Sequence, residues 1–147
     1  MSKLTFLSIV GIIGGFISAA FGGWNAALTT LVVFMAIDYI TGIMLAGIFK
    51  KSKKTENGAL ESRIGWKGLC RKGVTLLIVL VAVRLDIAVG SSFIKDATVI
   101  AFITNETISI IENAGLMGVP IPPAITKAIE VLREKSEVDK NDDVEQQ

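Results

Sequence analysis

Four long apolar stretches occupy most of this chain, and they constrain its fold more than any other feature. They cover residues 4–23, 26–49, 73–90 and 97–117 of a 147-residue sequence. Each is close to the ~20 residues that an α-helix needs to cross about 30 Å of hydrocarbon. The hydrophobic content of 51%, counted without glycine, is also high for a soluble domain. The sequence therefore predicts an all-α integral membrane protein with about four transmembrane helices.

Positive charge is concentrated in one connection, residues 50–72, which we call the basic loop. Its cations outnumber its two anions, Glu56 and Glu61, by eight to two, a local balance of +6. The cations are Lys50, Lys51, Lys53, Lys54, Arg63, Lys67, Arg71 and Lys72. Because cytoplasmic loops retain an excess of Lys and Arg, the basic loop is predicted to be cytoplasmic, and alternation places both chain termini there as well.

The N-terminal apolar stretch has two interpretations. Lys3 followed by an apolar run and the small residues at 18–20 fits a cleaved signal peptide, but the run is longer than a usual signal core, which favours a retained helix. Within it, small residues recur every four positions and predict a face on which helices approach closely, as in a homo-oligomer. These residues are Gly11, Gly15, Ala19 and Gly23.

A short amphipathic helix is predicted after the fourth stretch. Gly118 and the prolines at 120, 122 and 123 interrupt the backbone, and proline is favoured in the first turn of a new helix. Apolar residues then recur at i, i+3, i+4 and i+7, namely Ile125, Ala128, Ile129 and Leu132. The chain thus divides into a transmembrane bundle at 1–122 and a cytoplasmic part at 123–147. In that part, the helix lies on the membrane or pairs with a copy of itself, and a charged tail beyond Ser136 is predicted to be disordered.

Two opposite charges fall inside the predicted spans at matched depth. Asp38 and Arg84 each lie twelve residues inward of a basic flank, which is about 18 Å along a helix. A charge there costs at least about 2.5 kcal/mol, so one interpretation pairs Asp38 with Arg84, within a subunit or between subunits. The equal alternative is that Arg84 extends to the outer surface beside Asp86.

The fourth stretch carries polar residues along one side. At 100° per residue they share an arc of about 120°, and the opposite face, which includes Val99 and Ile103, is apolar. The arc contains Thr98, Asn105, Glu106, Ser109, Glu112 and Asn113. Such a face avoids lipid, so it is predicted to form a hydrogen-bonded seam within the bundle, or to line an aqueous opening when subunits gather.

Little in the sequence suggests catalysis or metal binding. The chain has no histidine and a single cysteine, Cys70, which we interpret as an incidental thiol at the membrane edge. The nucleophile and metal motifs of common enzymes are absent from the sequence as well. We therefore expect no enzyme activity, no cofactor and no nucleic-acid partner.

Four ordered segments resemble the phage-lysis and toxin-secretion holins of Gram-positive bacteria and their prophages. The segments are DYITG at 38–42, GWKGLCRK at 65–72, NETISIIEN at 105–113 and GVPIP at 118–122. The resemblance implies a protein of the bacterial cytoplasmic membrane that accumulates among lipids, assembles into oligomers and opens holes. Those holes release an endolysin or a toxin, so an endolysin is the implied functional partner and an antiholin a further candidate partner.

The competing interpretation is a small oligomeric ion channel or transporter. Intramembrane carboxylates such as those at 106 and 112 are typical of proton and cation paths. The two functions differ in the size of what passes, since a channel conducts ions whereas a holin releases a folded enzyme.

Overall fold

Five α-helices make up the described part of the chain. The computed structural model describes the backbone of residues 2–142 and the side chains of residues 2–135. The helices are α1 (Lys3–Ala20), α2 (Ala26–Gly47), α3 (Ser62–Val89), α4 (Phe93–Leu116) and α5 (Pro123–Asp142). No strand occurs between residues 2 and 142, so the predicted all-α class is confirmed.

Helix α4 is the central element, because α2, α3 and α5 all pack against it. An apolar core forms where α2, α3 and α4 meet, and Leu28, Leu31 and Val79 at its centre are fully buried. Met35, Val99 and Ile103 complete the core. The apolar face predicted for the fourth helix is therefore turned inward through Val99 and Ile103.

Helix α1 stands apart from this core. None of its residues is buried, and Leu4 and Phe16 are 78% and 76% exposed. The Cβ atoms that substitution would add at Gly11 and Gly15 would meet nothing within 4 Å. The predicted packing face is thus open within one chain, and a helix partner for it remains a prediction.

The turn between α1 and α2 contains one residue that was predicted to belong to the packing face. Helix α1 ends at Ala20, and Gly22 and Gly23 adopt the left-handed conformation, with φ of 71° and 95°. Such values are accessible to glycine at little cost, so these two residues form the turn. Gly23 therefore does not continue the face of Gly11, Gly15 and Ala19. Asn25 then begins α2, because its side-chain oxygen accepts from the Leu28 N–H at 2.9 Å.

Helix α3 is longer than predicted and absorbs half of the basic loop. It begins at Ser62 rather than at residue 73, so Arg63, Lys67, Arg71 and Lys72 are helical and the non-helical connection is confined to 48–61. The glycines at 65 and 68 gave no reason to expect a helix. In the structure they lie against Tyr39 of α2, where packing compensates for their low helix propensity.

Asp86 fixes the corner between α3 and α4. It is 7% exposed and accepts hydrogen bonds from the Ile94 N–H at 3.1 Å, from the Lys95 N–H at 2.8 Å and from the Ser91 hydroxyl. These two amides belong to the first turn of α4, whose N–H groups have no partner within the helix. Asp86 is therefore the N-terminal cap of α4, supplied by the preceding helix, rather than the neighbour predicted for Arg84.

Helix α5 folds back along α4 of the same chain, whereas the sequence predicted a membrane surface or a second copy as its partner. Leu132 packs against the apolar core, and the charged residues of α5 up to Lys135 are exposed. The helix continues to Asp142, so the disorder predicted beyond Ser136 is wrong for residues 137–142. The last part of the predicted charged tail, 143–147, lies outside the described residues.

Two of the described helices, α1 and α2, are long and apolar enough to cross a membrane. Charged residues interrupt α3 and α4, which do not reach the same average hydropathy. Length and apolarity therefore identify two candidate spans, and the count of four stays a prediction.

We predict that Asp86→Ala lowers the free energy of unfolding by about 1 to 2 kcal/mol, because it removes the cap of α4. The matched control is Asp96→Ala, which removes an exposed acid from the first turn of the same helix and costs less than about 1 kcal/mol. Denaturant titration of the micelle-solubilised protein, followed by circular dichroism, measures both. Equal losses in the two variants would contradict the cap.

Candidate functional site: a charged cluster between three helices

The ammonium group of Lys72 lies between two carboxylates from different helices. Its Nζ is 2.7 Å from Oδ2 of Asp38 on α2 and 2.5 Å from Oε2 of Glu106 on α4. The three side chains are only 8 to 14% exposed. Since Lys72 belongs to α3, this cluster connects the three helices of the bundle.

Asp38 therefore pairs with Lys72 within the chain, and not with Arg84, which is exposed. The depth estimate that suggested Arg84 took Lys72 as the membrane edge. Measured from the observed helix ends, Asp38 lies nine residues from the end of α2 and Lys72 ten residues from the start of α3. These separations are about 14 and 15 Å, so the two residues are at the same level.

Asn113 makes a second connection between α2 and α4. Its side-chain nitrogen donates to Oδ1 of Asp38 at 3.2 Å and to the Thr41 hydroxyl at 3.0 Å. A Cβ at position 42 would lie 3.8 Å from that nitrogen, so the glycine at this position leaves room for the amide of Asn113. Both carboxylate oxygens of Asp38 thus have donors, as a buried charge requires.

Tyr39 joins α2 to the first turns of α3. Its hydroxyl donates to the Gly65 carbonyl at 3.4 Å, and Cβ atoms at Gly65 and Gly68 would lie 3.7 and 3.9 Å from its ring or hydroxyl. The two glycines are one turn apart, so they present a flat surface to the aromatic ring. This contact holds α3 at the distance from which Lys72 reaches Asp38.

A cavity of about 250 Å³ opens beside the cluster, between α2, α3 and α4. Residues 52–55 of the basic loop lie across it, and Lys53 and Lys54 line it together with Arg71. Polar groups of the cluster form its inner wall, with Asp38, Lys72 and Glu106 among them. The hydroxyl oxygen of Thr55 also lines the cavity region and is buried without a hydrogen-bond partner among the described residues. The cavity is large enough for several water molecules.

The predicted site residues separate into three groups. Asp38, Glu106, Asn113 and Lys72 meet in the cluster, and Ser109 is half-buried beside the cavity. Arg84, Asn105 and Glu112 are exposed, although Glu112 reaches the cavity rim. The remaining basic-loop cations are exposed on the surface: Lys50, Lys51, Lys53, Lys54, Arg63, Lys67 and Arg71.

Sequence reasoning missed the central role of Lys72 and the contributions of Thr41 and Tyr39. One signal was available for Lys72: among the cations at 63–72, it is the last before a long uncharged run. A lysine at that boundary has a stem long enough to place its ammonium several ångströms deeper than its backbone. For Tyr39 no signal in the sequence distinguished packing against glycine from an interfacial position.

Because its side chains come from α2, α3 and α4, we call this cluster the charged joint. Two acidic side chains and one ammonium connect three helices where each of these side chains is at most 14% exposed. Within residues 2–135, no group of three His, Cys, Asp or Glu residues is arranged to hold a metal ion. Separating the helices would leave these buried charges without partners. Opening the charged joint therefore requires a large free energy.

Fold and site together define a class: small all-α proteins with an apolar exterior and a charged joint between their helices. Within that class, the model of the bacteriophage holin family matches residues 15–134, which is most of the chain. The chain belongs to this family.

Other proteins with similar sequences support the same assignment. An uncharacterized protein of Clostridium perfringens strain 13 is 38% identical over 120 residues, which is 80% of this chain and 83% of the relative. A protein described as a probable holin of Bacillus phage phi105 is 37% identical over 106 residues, or 71% of this chain and 73% of the phage protein. No solved structure matches the chain.

Three of the segments that suggested the holin resemblance meet at the charged joint. DYITG supplies Asp38 and the Tyr39 contact, GWKGLCRK supplies the two glycines and Lys72, and NETISIIEN supplies Glu106 and Asn113. They are separate along the chain and adjacent in space. Contacts at the charged joint thus give one physical reason why all three segments occur in this chain.

We predict that Lys72→Met lowers the free energy of unfolding by about 3 to 5 kcal/mol, because it leaves the buried acids Asp38 and Glu106 without their cation. Lys67→Met, an exposed position on the same helix, serves as the matched control and is expected to be near neutral. Unfolding by titration with sodium dodecyl sulfate in mixed micelles gives both values.

The same measurement on Lys72→Met combined with Asp38→Asn and Glu106→Gln tests the cause. This triple variant buries no charge at the joint, so it is expected to recover much of the lost stability. If the triple variant were less stable than Lys72→Met alone, the electrostatic account of the joint would be wrong.

We further predict that Gly68→Leu displaces Tyr39, because a leucine side chain extends well beyond the Cβ position that already lies 3.9 Å from the ring. Gly73→Leu is the matched control, since a Cβ there would meet nothing within 4 Å. Tyr39 is the single tyrosine of the chain, so fluorotyrosine labelling yields one ¹⁹F resonance. That resonance shifts in Gly68→Leu and stays in place in Gly73→Leu; a shift of equal size in both would argue against the contact.

Proposed function

We propose that this protein is a holin that oligomerises in the cytoplasmic membrane of a bacterial host and opens holes through which an endolysin or a toxin leaves. The observation that carries the proposal is the charged joint of Lys72, Asp38 and Glu106, built from the segments that resemble holins, inside a bundle with an apolar exterior. A charged joint in lipid requires the three helices to stay together, and the same charges favour water once a hole has formed.

The exposed faces of the helices favour a multi-pass arrangement with four spans. Helix α3 exposes large apolar side chains on one face, although its average hydropathy is modest; they are Val74, Leu77, Ile78, Val81 and Leu85. Soluble proteins rarely expose so continuous an apolar stripe, whereas lipid requires one. Its 28 residues span about 42 Å, so its basic first turns extend below a hydrocarbon layer of about 30 Å.

Helix α4 spans the membrane at the centre of the bundle, where α2 and α3 shield much of its surface. Helix α5 carries exposed charges at 127–135 and cannot lie beside the outer half of α4 in lipid. In the membrane-inserted protein, α5 therefore separates from α4 and lies on the cytoplasmic side with the basic loop. The α4 surface that it vacates then faces lipid or a neighbouring subunit.

Oligomer formation is assigned to α1. Its large apolar side chains are exposed and the small-residue face of Gly11 and Gly15 is open, so the bundle can fold without using it. Small residues allow the backbones of membrane helices to approach closely. Subunits that associate through α1 place their charged joints side by side, where an aqueous hole can replace lipid.

The test is induction of this protein in bacteria that hold a cytoplasmic endolysin without an export signal. A delayed and abrupt fall in culture turbidity, seen only when both proteins are present, is the expected result. Slow membrane depolarisation with the endolysin retained inside would contradict the holin proposal and favour the alternative, a small ion channel or transporter.

A variant with Gly11→Leu and Gly15→Leu examines the role of α1 in the same assay. It is expected to insert in the membrane, to yield fewer oligomers on chemical cross-linking and to lyse the culture later or not at all. Gly14→Leu, which points away from that face by about 60° or more, is the control and should behave like the unmodified protein. Equal cross-linking in both variants would exclude the proposed α1 face.

A further inference from the structure

The charged joint contains one more acid than base. Asp38 and Glu106 share a single ammonium, that of Lys72, and all three side chains are at most 14% exposed. If both acids were ionised, the joint would hold a net charge of −1 on side chains that have little contact with water. An unbalanced buried charge is costly, and binding one proton removes it.

The hydrogen bonds distinguish the two acids. Both carboxylate oxygens of Asp38 accept bonds, one from Lys72 and one from Asn113. Glu106 accepts from Lys72 through Oε2, whereas its Oε1 has no donor among the described residues. Donors stabilise the charged form of a carboxyl group, so Asp38 is the better carboxylate and Glu106 the better place for a proton.

The other charged groups around the cavity come from three elements. They are Lys53, Lys54 and Glu61 of the basic-loop region, Arg71 of α3 and Glu112 of α4. All five are exposed, so water screens them more than it screens the joint. Lys54 is close enough to act on the charge of Asp38, which further favours Asp38 as the ionised partner. None of these groups supplies a second buried cation to Glu106.

We propose that the joint is a proton-binding site, in which Glu106 carries one proton that exchanges with water through the cavity. Proton uptake converts the Glu106 carboxylate to a carboxylic acid and leaves Asp38 and Lys72 as a balanced ion pair. The cavity of about 250 Å³ reaches both the joint and the basic loop, so it provides the path. If the basic loop is cytoplasmic, the proton comes from the cytoplasm.

Infrared difference spectra of the full-length protein in liposomes test this site directly. The pH is stepped from acid to alkaline, and the carbonyl band of protonated carboxyl groups is followed in light and heavy water. We expect one protonated carboxyl to persist after the exposed acids have lost their protons, and to disappear in a single later step. A spectrum of the unmodified protein with no such persistent band would overturn the proposal.

Two variants assign the proton, and one serves as control. Glu106→Gln removes the carboxyl that holds it, and Asp38→Asn leaves one acid balanced by Lys72, so each is expected to lose the persistent band. Glu56→Gln, at an exposed position outside the cavity lining, is expected to keep it. A band that survives either of the first two substitutions would contradict the charge argument, provided that circular dichroism shows a folded protein.

A second readout rests on the proposed holin function. The delay before lysis is expected to change with the internal pH of the host when the unmodified protein is present, and this dependence is expected to vanish in Glu106→Gln. The infrared result does not need hole formation. A persistent band in a protein that never lyses cells would therefore count against the holin function and leave the proton site standing.

Discussion

The ammonium of Lys72 holds three helices in one register, and the rest of the bundle is arranged around it. Apolar helices in lipid gain little from contact with one another, because lipid tails are as apolar as their side chains. Their relative positions must then come from close packing and polar contacts. Since Asp38, Lys72 and Glu106 lie on three helices, sliding any one of them separates charges that have few other partners.

Two levels of packing follow along the bundle. Nearer the α1–α2 and α3–α4 turns, the contacts are apolar, with Leu28, Leu31 and Val79 fully buried. Nearer the basic loop they include the polar groups of the charged joint, and glycines lie against Tyr39 and Asn113. The fully buried side chains belong to the apolar level, and the hydrogen bonds and ion pairs between the three helices belong to the polar level. Asp86 fixes the opposite end by capping α4, so α4 is held near both of its ends.

The helical class and four of the five helices follow from the sequence, because long apolar runs and their flanking glycines and prolines are local signals. The start of α3 does not follow, since its first turns are stabilised by Tyr39, which lies 23 residues before Ser62 along the chain. The sequence predicted part of the candidate site, but it did not predict the pairing of Asp38 with Lys72, because that pairing also depends on where α3 begins. Periodicity placed Glu106 and Asn113 on one side of α4, and depth counting identified Asp38 as needing a partner. Lys72, rather than Arg84, pairs with Asp38. This depends on the start of α3 at Ser62, where the basic residues had indicated a loop.

The separation of α1 from the other helices gives the protein two independently adjustable properties. Substitutions on α1 can change its exposed surface without disturbing the charged joint, because no α1 residue is buried in the bundle. Substitutions at the joint act on the bundle while the α1 surface stays the same. A lineage can therefore accumulate many small changes on the surface of one helix at little risk to the folding of the bundle.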